Sequence, residues 1–182
     1  MLLRGLFLLM VVIAAWLSMQ QVHEAGHVLG AAVSGGKVER VVLAPWMISR
    51  TDLSANPRPL VVVWAGPLCG VLAPLCLWGL LARTNIAFLT RFFAGFCLVA
   101  NGAYIGGGSF AEIGDCGEML RHGAAVWQLW LFGSLTVPAG FTLWNGQGPA
   151  FARAPSRGSW VFVAIWLAAT LAVGVYFQEP PN

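Results

Sequence analysis

Residues 3–34 have the sequence LRGLFLLMVVIAAWLSMQQVHEAGHVLGAAVS, an unbroken helical pattern that ends at Gly35 and Gly36. At about 1.5 Å per residue, a helix of this length reaches about 48 Å, which exceeds the ~30 Å hydrocarbon core of a bilayer. We therefore expect a first transmembrane helix that tilts or protrudes. Arg4 followed by an apolar stretch is also typical of a secretory signal peptide. The pattern continues without a turn signal, however, so we expect this segment to remain in the protein.

The composition predicts that the rest of the chain also lies in a membrane. Hydrophobic residues make up 58% of the 182 residues and charged residues only 9%, against about 25% charged residues in an average globular domain. Because so few charges cannot cover a soluble surface, we expect a single integral membrane domain, residues 1–182, surrounded by the lipid bilayer. The net charge of +3 is small and no basic run exists, so nucleic acid is not an expected partner.

Five apolar segments are long enough to cross a bilayer, at residues 3–34, 60–81, 86–106, 124–143 and 160–177. The sequence therefore predicts an all-α multi-pass membrane protein with about five transmembrane helices. β-branched residues that roughly alternate within residues 37–50 favour a small membrane-associated β-hairpin after the first span. Membrane orientation stays open, because this topology places five Lys and Arg residues on each side.

The acidic residues, by contrast, collect on one side of this predicted topology. Glu24 lies near the carboxyl end of the first helix and therefore close to the same side. We expect an acidic half of the protein there. The side opposite the amino terminus would hold Glu39, Asp52, Glu112, Asp115, Glu118 and Glu179.

The stretch His23-Glu24-Ala25-Gly26-His27 has the H-E-x-x-H pattern of zinc metalloproteases. Helical residues four apart share a face, so His23 and His27 can bind one metal ion. Glu24 is rotated by about 100° from His23 and can reach a water on the metal as a general base. Ionisable groups inside an apolar helix are costly and usually functional. Gly26 and Gly30 form a G-x-x-x-G pair that allows another helix to approach closely.

A catalytic zinc ion usually has three protein ligands and a water, so the third ligand must come from elsewhere in the chain. Asp115 follows Gly114 and precedes a helix-like run, near a membrane boundary on the acidic side. The spacing alone does not decide between it and the alternatives. The candidates are Asp115, Glu118, Glu112, His122, Cys116 and Glu39.

The chain resembles the site-2 protease family of intramembrane zinc metallopeptidases over roughly residues 10–120. The H-E-A-G-H stretch is similar to the H-E-x-G-H form of that family, and residues 64–70 (WAGPLCG) are similar to its A-G-P-L segment. Asn101 followed by GDCG at residues 114–117 is similar to its N-x-x-P…D-G motif. The resemblance implies that Asp115 is the third zinc ligand, and Glu118 is kept as the alternative. Asn101 either contacts substrate or is a satisfied polar group between helices. The resemblance also implies a compact member without a PDZ domain.

We therefore expect a zinc-dependent intramembrane endopeptidase in which Glu24 is catalytic and His23, His27 and Asp115 bind Zn²⁺. The expected partners are a membrane-spanning protein substrate and a regulatory membrane protein, and the expected location is a bacterial cytoplasmic membrane. An edge strand in residues 37–50 could hold an extended substrate by strand addition. The alternatives are a non-catalytic zinc-binding interaction protein of the same fold, another membrane zincin acting on juxtamembrane peptides, and a metal transporter.

Overall fold

Seven helices and two strands form the described part of the chain, residues 2–153 and 155–178, in this computed structural model. Glu179, one of the acids considered above, lies outside these residues. The elements follow the order α1 (Leu2–Ser34), β1 (Lys37–Val42), β2 (Arg50–Ala55), α2 (Pro59–Leu81), α3 (Ala87–Gly108), α4 (Gly114–Arg121), α5 (Val126–Trp144), α6 (Gly148–Ala152) and α7 (Arg157–Tyr176).

Each predicted span forms a helix, so the predicted fold class is confirmed. Within the described residues, α1, α2, α3 and α7 are long and apolar enough to cross a membrane, by length and composition. The segment predicted as the fourth span, 124–143, forms α5, which has 19 residues and is not one of these four helices. Gln128, Ser134 and Thr136 lower its hydropathy, and its main packing partner is α3.

The predicted hairpin is also present, as an antiparallel pair of β1 and β2 in which Val41 lies opposite Thr51. Gly35 ends α1 in the left-handed conformation, with φ of +79°. The N–H of Gly36 donates to the carbonyl of Ala31 at 2.8 Å, which satisfies one of the free carbonyls at the helix end. The chain therefore turns sharply into β1 directly after the first helix.

Close packing of α1 against α2 determines where the His motif lies. A Cβ atom on Gly26 would lie 2.7 Å from the Cβ of Cys69, and one on Gly30 would lie 2.7 Å from the Cβ of Ala65. Real Cβ atoms do not approach so closely, so only glycine permits this helix contact. The predicted G-x-x-x-G contact is confirmed, and it brings the carboxyl-terminal third of α1 against the start of α2.

Candidate metal centre

His23 and His27 lie one turn apart on α1, as their spacing predicts, and both are buried. Their rings are arranged edge to face with centroids 4.8 Å apart. The two Nε2 atoms are 3.0 Å apart. The imidazoles therefore present the same ring nitrogen to one point between α1 and its neighbours.

Asp115 on α4 completes a group of three. Its Oδ2 lies 2.8 Å from Nε2 of His23 and 3.3 Å from Nε2 of His27. Gly114, with φ of +56°, precedes it in a conformation that glycine adopts easily. Ligand atoms of the three side chains all lie within 4.8 Å of one another. His23, His27 and Asp115 could therefore hold a metal ion.

The other nitrogen of each imidazole has a partner that fixes the ring. Nδ1 of His27 is 2.9 Å from the carbonyl oxygen of Val62, which can only accept, so Nδ1 carries the hydrogen. Nδ1 of His23 is 2.7 Å from Oδ1 of Asn101, whose Nδ2 donates to the carbonyl of Cys97 at 2.9 Å. That donation orients the Asn101 amide, so Oδ1 accepts from His23. In the neutral rings both Nε2 atoms then offer a lone pair.

Electrostatics at the centre favour a bound cation. Burial raises the pKa of the Asp115 carboxyl, but where His23 and His27 carry protons on Nε2 their hydrogen bonds lower it by more, so the pKa then lies well below its usual range. An ionised carboxylate accepts and cannot donate. With both imidazoles neutral, the two Nε2 atoms and Oδ2 of Asp115 are three acceptors without a donor, and they repel one another. A positive charge between them removes that repulsion, supplied either by a metal ion or by protons on Nε2.

Two glycines of α2 make room for this arrangement. A Cβ on Gly66 would overlap the imidazole of His27, and one on Gly70 would lie 2.6 Å from Oδ1 of Asn101. The segment at residues 64–70 (WAGPLCG) therefore packs directly against the candidate ligand His27. It also packs against Asn101, which orients the other histidine, His23. The sequence singled out this segment through its resemblance to a family, and its contacts with His27 and Asn101 were missed.

Glu24 is buried and faces the hairpin. The hydroxyl of Ser49 donates to its Oε1 and the hydroxyl of Thr51 donates to its Oε2, each at 2.7 Å. The N–H of Ser49 donates to Oε1 of Gln20 at 3.1 Å. The sequence analysis missed both hydroxyl donors, although residues two apart in extended backbone lie on one side, as Ser49 and Thr51 do at the start of β2.

The other candidate ligands do not join the group among the described residues. Glu118 is exposed and forms ion pairs with Arg121 and with His122, the latter at 3.2 Å. Glu39 and Glu112 are exposed. Cys116 is buried and its thiol donates to the carbonyl of Tyr104 at 3.2 Å. Burial raises the pKa of this thiol to about 11, and its hydrogen bonds direct it toward backbone carbonyls of α3 rather than toward the three grouped side chains.

Asn101 is 1% exposed, and both polar atoms of its amide are hydrogen-bonded. Its contact with His23 places it behind the imidazole, on the side away from Asp115. The substrate contact predicted for Asn101 stays a prediction. In the structure, the Asn101 amide oxygen accepts a hydrogen bond from Nδ1 of His23 and thereby orients that imidazole ring.

Tyr104 supports Asp115 from α3. The N–H of Asp115 donates to the Tyr104 hydroxyl at 3.0 Å, and the phenol ring lies edge to face with His23, with centroids 5.9 Å apart. This contact links α4 to the long helices and holds Asp115 at the centre. Nothing in the sequence pattern singled out Tyr104.

Comparison of this chain with models of protein families, with curated proteins and with solved structures gives no match. The chemistry of the centre is therefore inferred from its own geometry and charge.

Proposed function

We propose that the chain is a zinc-dependent intramembrane endopeptidase, as its resemblance to the site-2 protease family implies. The observation that carries the proposal is the convergence of Nε2 of His23, Nε2 of His27 and Oδ2 of Asp115, with both Nδ1 atoms already hydrogen-bonded. Two imidazoles and one carboxylate form the ligand set of many catalytic zinc sites, in which a fourth position remains for water or substrate.

The donor atoms favour zinc over the common alkaline-earth ions. Ca²⁺ and Mg²⁺ prefer oxygen ligands, whereas two nitrogen donors and one carboxylate suit zinc and other late transition metals. Each imidazole also has the hydrogen-bonded outer partner that metal-binding histidines usually have. Asn101 and the Val62 carbonyl supply these partners.

When bound, zinc would polarise a scissile carbonyl and acidify a water molecule. The chain itself supplies the proton carrier, because Glu24 directly follows a ligand and lies about 100° around the helix from it. Its carboxylate takes the proton of the attacking water and returns it to the leaving amine. The ionised carboxylate has about four acceptor sites, so two hydroxyl donors leave positions for that proton.

The proposed substrate is a membrane-spanning protein, because the ligand pair is part of a helix apolar enough to cross a bilayer. A substrate must be locally extended before its carbonyl can be attacked, since a helix uses its carbonyls internally. The β1–β2 hairpin lies beside Glu24 and offers strand edges to such a segment. A bacterial cytoplasmic membrane and a regulatory membrane partner belong to the same proposal.

The proposal is tested with the full chain purified in detergent and returned to vesicles with a single-span reporter substrate. Glu24→Gln should retain one zinc ion per chain, measured by elemental analysis, and lose cleavage. Wild-type protein should cleave and should lose activity when a chelator removes the metal. Cleavage by Glu24→Gln at the wild-type rate would refute the mechanism.

The bonds from Ser49 and Thr51 also favour a second candidate, a non-catalytic zinc-binding membrane protein in which Glu24 anchors the hairpin. In that case wild-type protein would bind zinc and cleave nothing. A zincin acting on juxtamembrane peptides differs in its substrate, because it would cleave a soluble peptide that carries the reporter site. Comparing the soluble and membrane-spanning reporters therefore separates all three functions.

A further inference from the structure

The hairpin has a direct contact with the general base of the proposed function, and the following inference rests on that function. Glu24 is 4% exposed, so its carboxylate is largely removed from water. Burying an ionised carboxylate is costly unless hydrogen bonds compensate for the lost hydration. Ser49 and Thr51 supply one hydroxyl donor to each oxygen, both at 2.7 Å.

Two donors on different oxygens restrict the carboxylate more than one donor would. A single bond still permits the group to swing about that oxygen, whereas two bonds fix the plane of the carboxylate and its torsion. Proton transfer requires the base to lie within about 2.6–3.2 Å of the water it deprotonates. The orientation of Glu24 relative to the zinc ligands is therefore set by the hairpin as well as by α1.

The hairpin is itself held at several points. The N–H of Ser49 donates to Gln20 on α1, and Thr51 is paired in register with Val41 of β1. At the end of β1, the N–H of Leu43 donates to the carbonyl of Phe177 at 3.0 Å. Connections to both α1 and the end of α7 make the two hydroxyls fixed donors rather than mobile surface groups.

We propose that Ser49 and Thr51 are positioning residues that hold the Glu24 carboxylate in the orientation required for proton transfer. They act through Glu24 and touch neither metal nor substrate. A consequence is that removal of the whole hairpin would stop cleavage even if the substrate bound elsewhere. Single hydroxyl substitutions are needed to separate positioning from substrate binding.

The test measures kcat, KM and zinc content for Thr51→Val, Thr51→Ser and Ser49→Ala in the full chain. Valine keeps the shape of threonine without the hydroxyl, and serine keeps the hydroxyl. Misplacing a catalytic group by about 1 Å can cost on the order of 100-fold in rate. We expect Thr51→Val and Ser49→Ala each to lower kcat about 10- to 100-fold, with KM and zinc content unchanged, and Thr51→Ser to restore the rate.

Ser54→Ala is the matched control, because Ser54 lies on the same strand and its hydroxyl contacts the carbonyl of Lys37 rather than Glu24. It should leave kcat unchanged. Wild-type kcat in Thr51→Val and Ser49→Ala would overturn the proposal. An increase in KM alone would overturn it too, because it would assign the hydroxyls to substrate binding.

Thermal unfolding tests the contact between Thr51 and Glu24 separately from the proposed endopeptidase function. The thermal unfolding midpoint is measured for Thr51→Val, Glu24→Ala and the double variant. If the hydroxyl acts through Glu24, its removal should lower the midpoint in wild-type protein and have little effect in the Glu24→Ala protein. Absence of cleavage by wild-type protein would refute the proposed function and with it the role in proton transfer, whereas additive midpoints would refute the hydroxyl contact itself.

Discussion

Gly66→Ala is expected to displace His27 and to weaken zinc binding. The added Cβ would lie 2.9 Å from Cδ2 of His27 and closer still to Cε1 and Nε2. Non-bonded carbon atoms pack at about 3.5–4.0 Å, so the ring must retreat by roughly an ångström. Zinc requires its nitrogen ligands at about 2.0–2.1 Å, and a shift of this size takes Nε2 out of bonding distance or strains the site.

The expected loss of zinc affinity follows from the contact of Gly66 with His27, which is itself a proposed ligand. Changing a partner of a metal ligand typically lowers affinity about 10- to 100-fold, and here the ligand itself is displaced. We therefore expect a loss of at least about 100-fold in zinc affinity, or about 2.8 kcal/mol at 1.4 kcal/mol per tenfold change. Overpacking of the α1–α2 contact should also lower the free energy of unfolding by about 1–3 kcal/mol.

Zinc affinity is measured by competition with a chromogenic chelator on the full chain in detergent. Gly79→Ala is the matched control, because it lies on the same helix and its Cβ would meet no atom within 4 Å. It should bind zinc as wild type does and should be slightly more stable, since alanine favours helix over glycine. Unchanged zinc affinity in Gly66→Ala would refute the inference that His27 is a ligand held against α2.

Three further predictions concern the same centre. Asp115→Ala should abolish stoichiometric zinc binding while Glu118→Ala retains it, as measured by elemental analysis, and the opposite result would make Glu118 the third ligand. Asn101→Ala removes the acceptor for Nδ1 of His23 and should lower zinc affinity about 10- to 100-fold; an effect on KM alone would instead support a substrate contact. Removing zinc should lower the thermal midpoint, because a ligand at about 1,000 times its Kd stabilises the folded state by about 4.1 kcal/mol; an unchanged midpoint would contradict metal binding to the folded chain.

The parts of this molecule that the sequence predicts are those set by short-range periodicity. Four-residue spacing places His23 and His27 on one face of α1, and alternation in residues 37–50 indicates a hairpin. Apolar segments long enough to cross a bilayer indicate the helices. Each of these features depends on neighbours in the chain, so a single sequence is sufficient to predict it.

The parts that the sequence left open depend on contacts between distant segments. His23 and Asp115 are 92 residues apart in the sequence. A turn at Gly114 and a hydrogen bond from Asp115 to Tyr104 bring Asp115 to His23, and no local pattern encodes this contact. For that reason the residues alone left several third ligands open, and only the family resemblance chose Asp115. Gly66 lies in a segment that the sequence identified by resemblance, and which side chain it packs against depends on how α1 crosses α2.

The position of the candidate metal centre along α1 connects the hairpin to the proposed hydrolysis. His23 and His27 lie about 17 and 11 Å from the end of α1, at ~1.5 Å per residue, so both lie in the carboxyl-terminal half of a helix that exceeds the membrane. Ser49 and Thr51 contact Glu24, which lies about 15 Å from that end, so the hairpin runs back alongside the last turns of α1. A two-stranded sheet has unpaired backbone groups at both edges, and such groups at membrane depth must lie against protein or line a water-filled space.

β1 and β2 also carry several charged side chains, of which Lys37, Glu39 and Arg40 are exposed, and none of these can face lipid tails. Protein covers Glu24, whereas the charged part of the hairpin requires water. Water beside the charged part of the hairpin would supply the reaction if the chain hydrolyses peptide bonds as proposed.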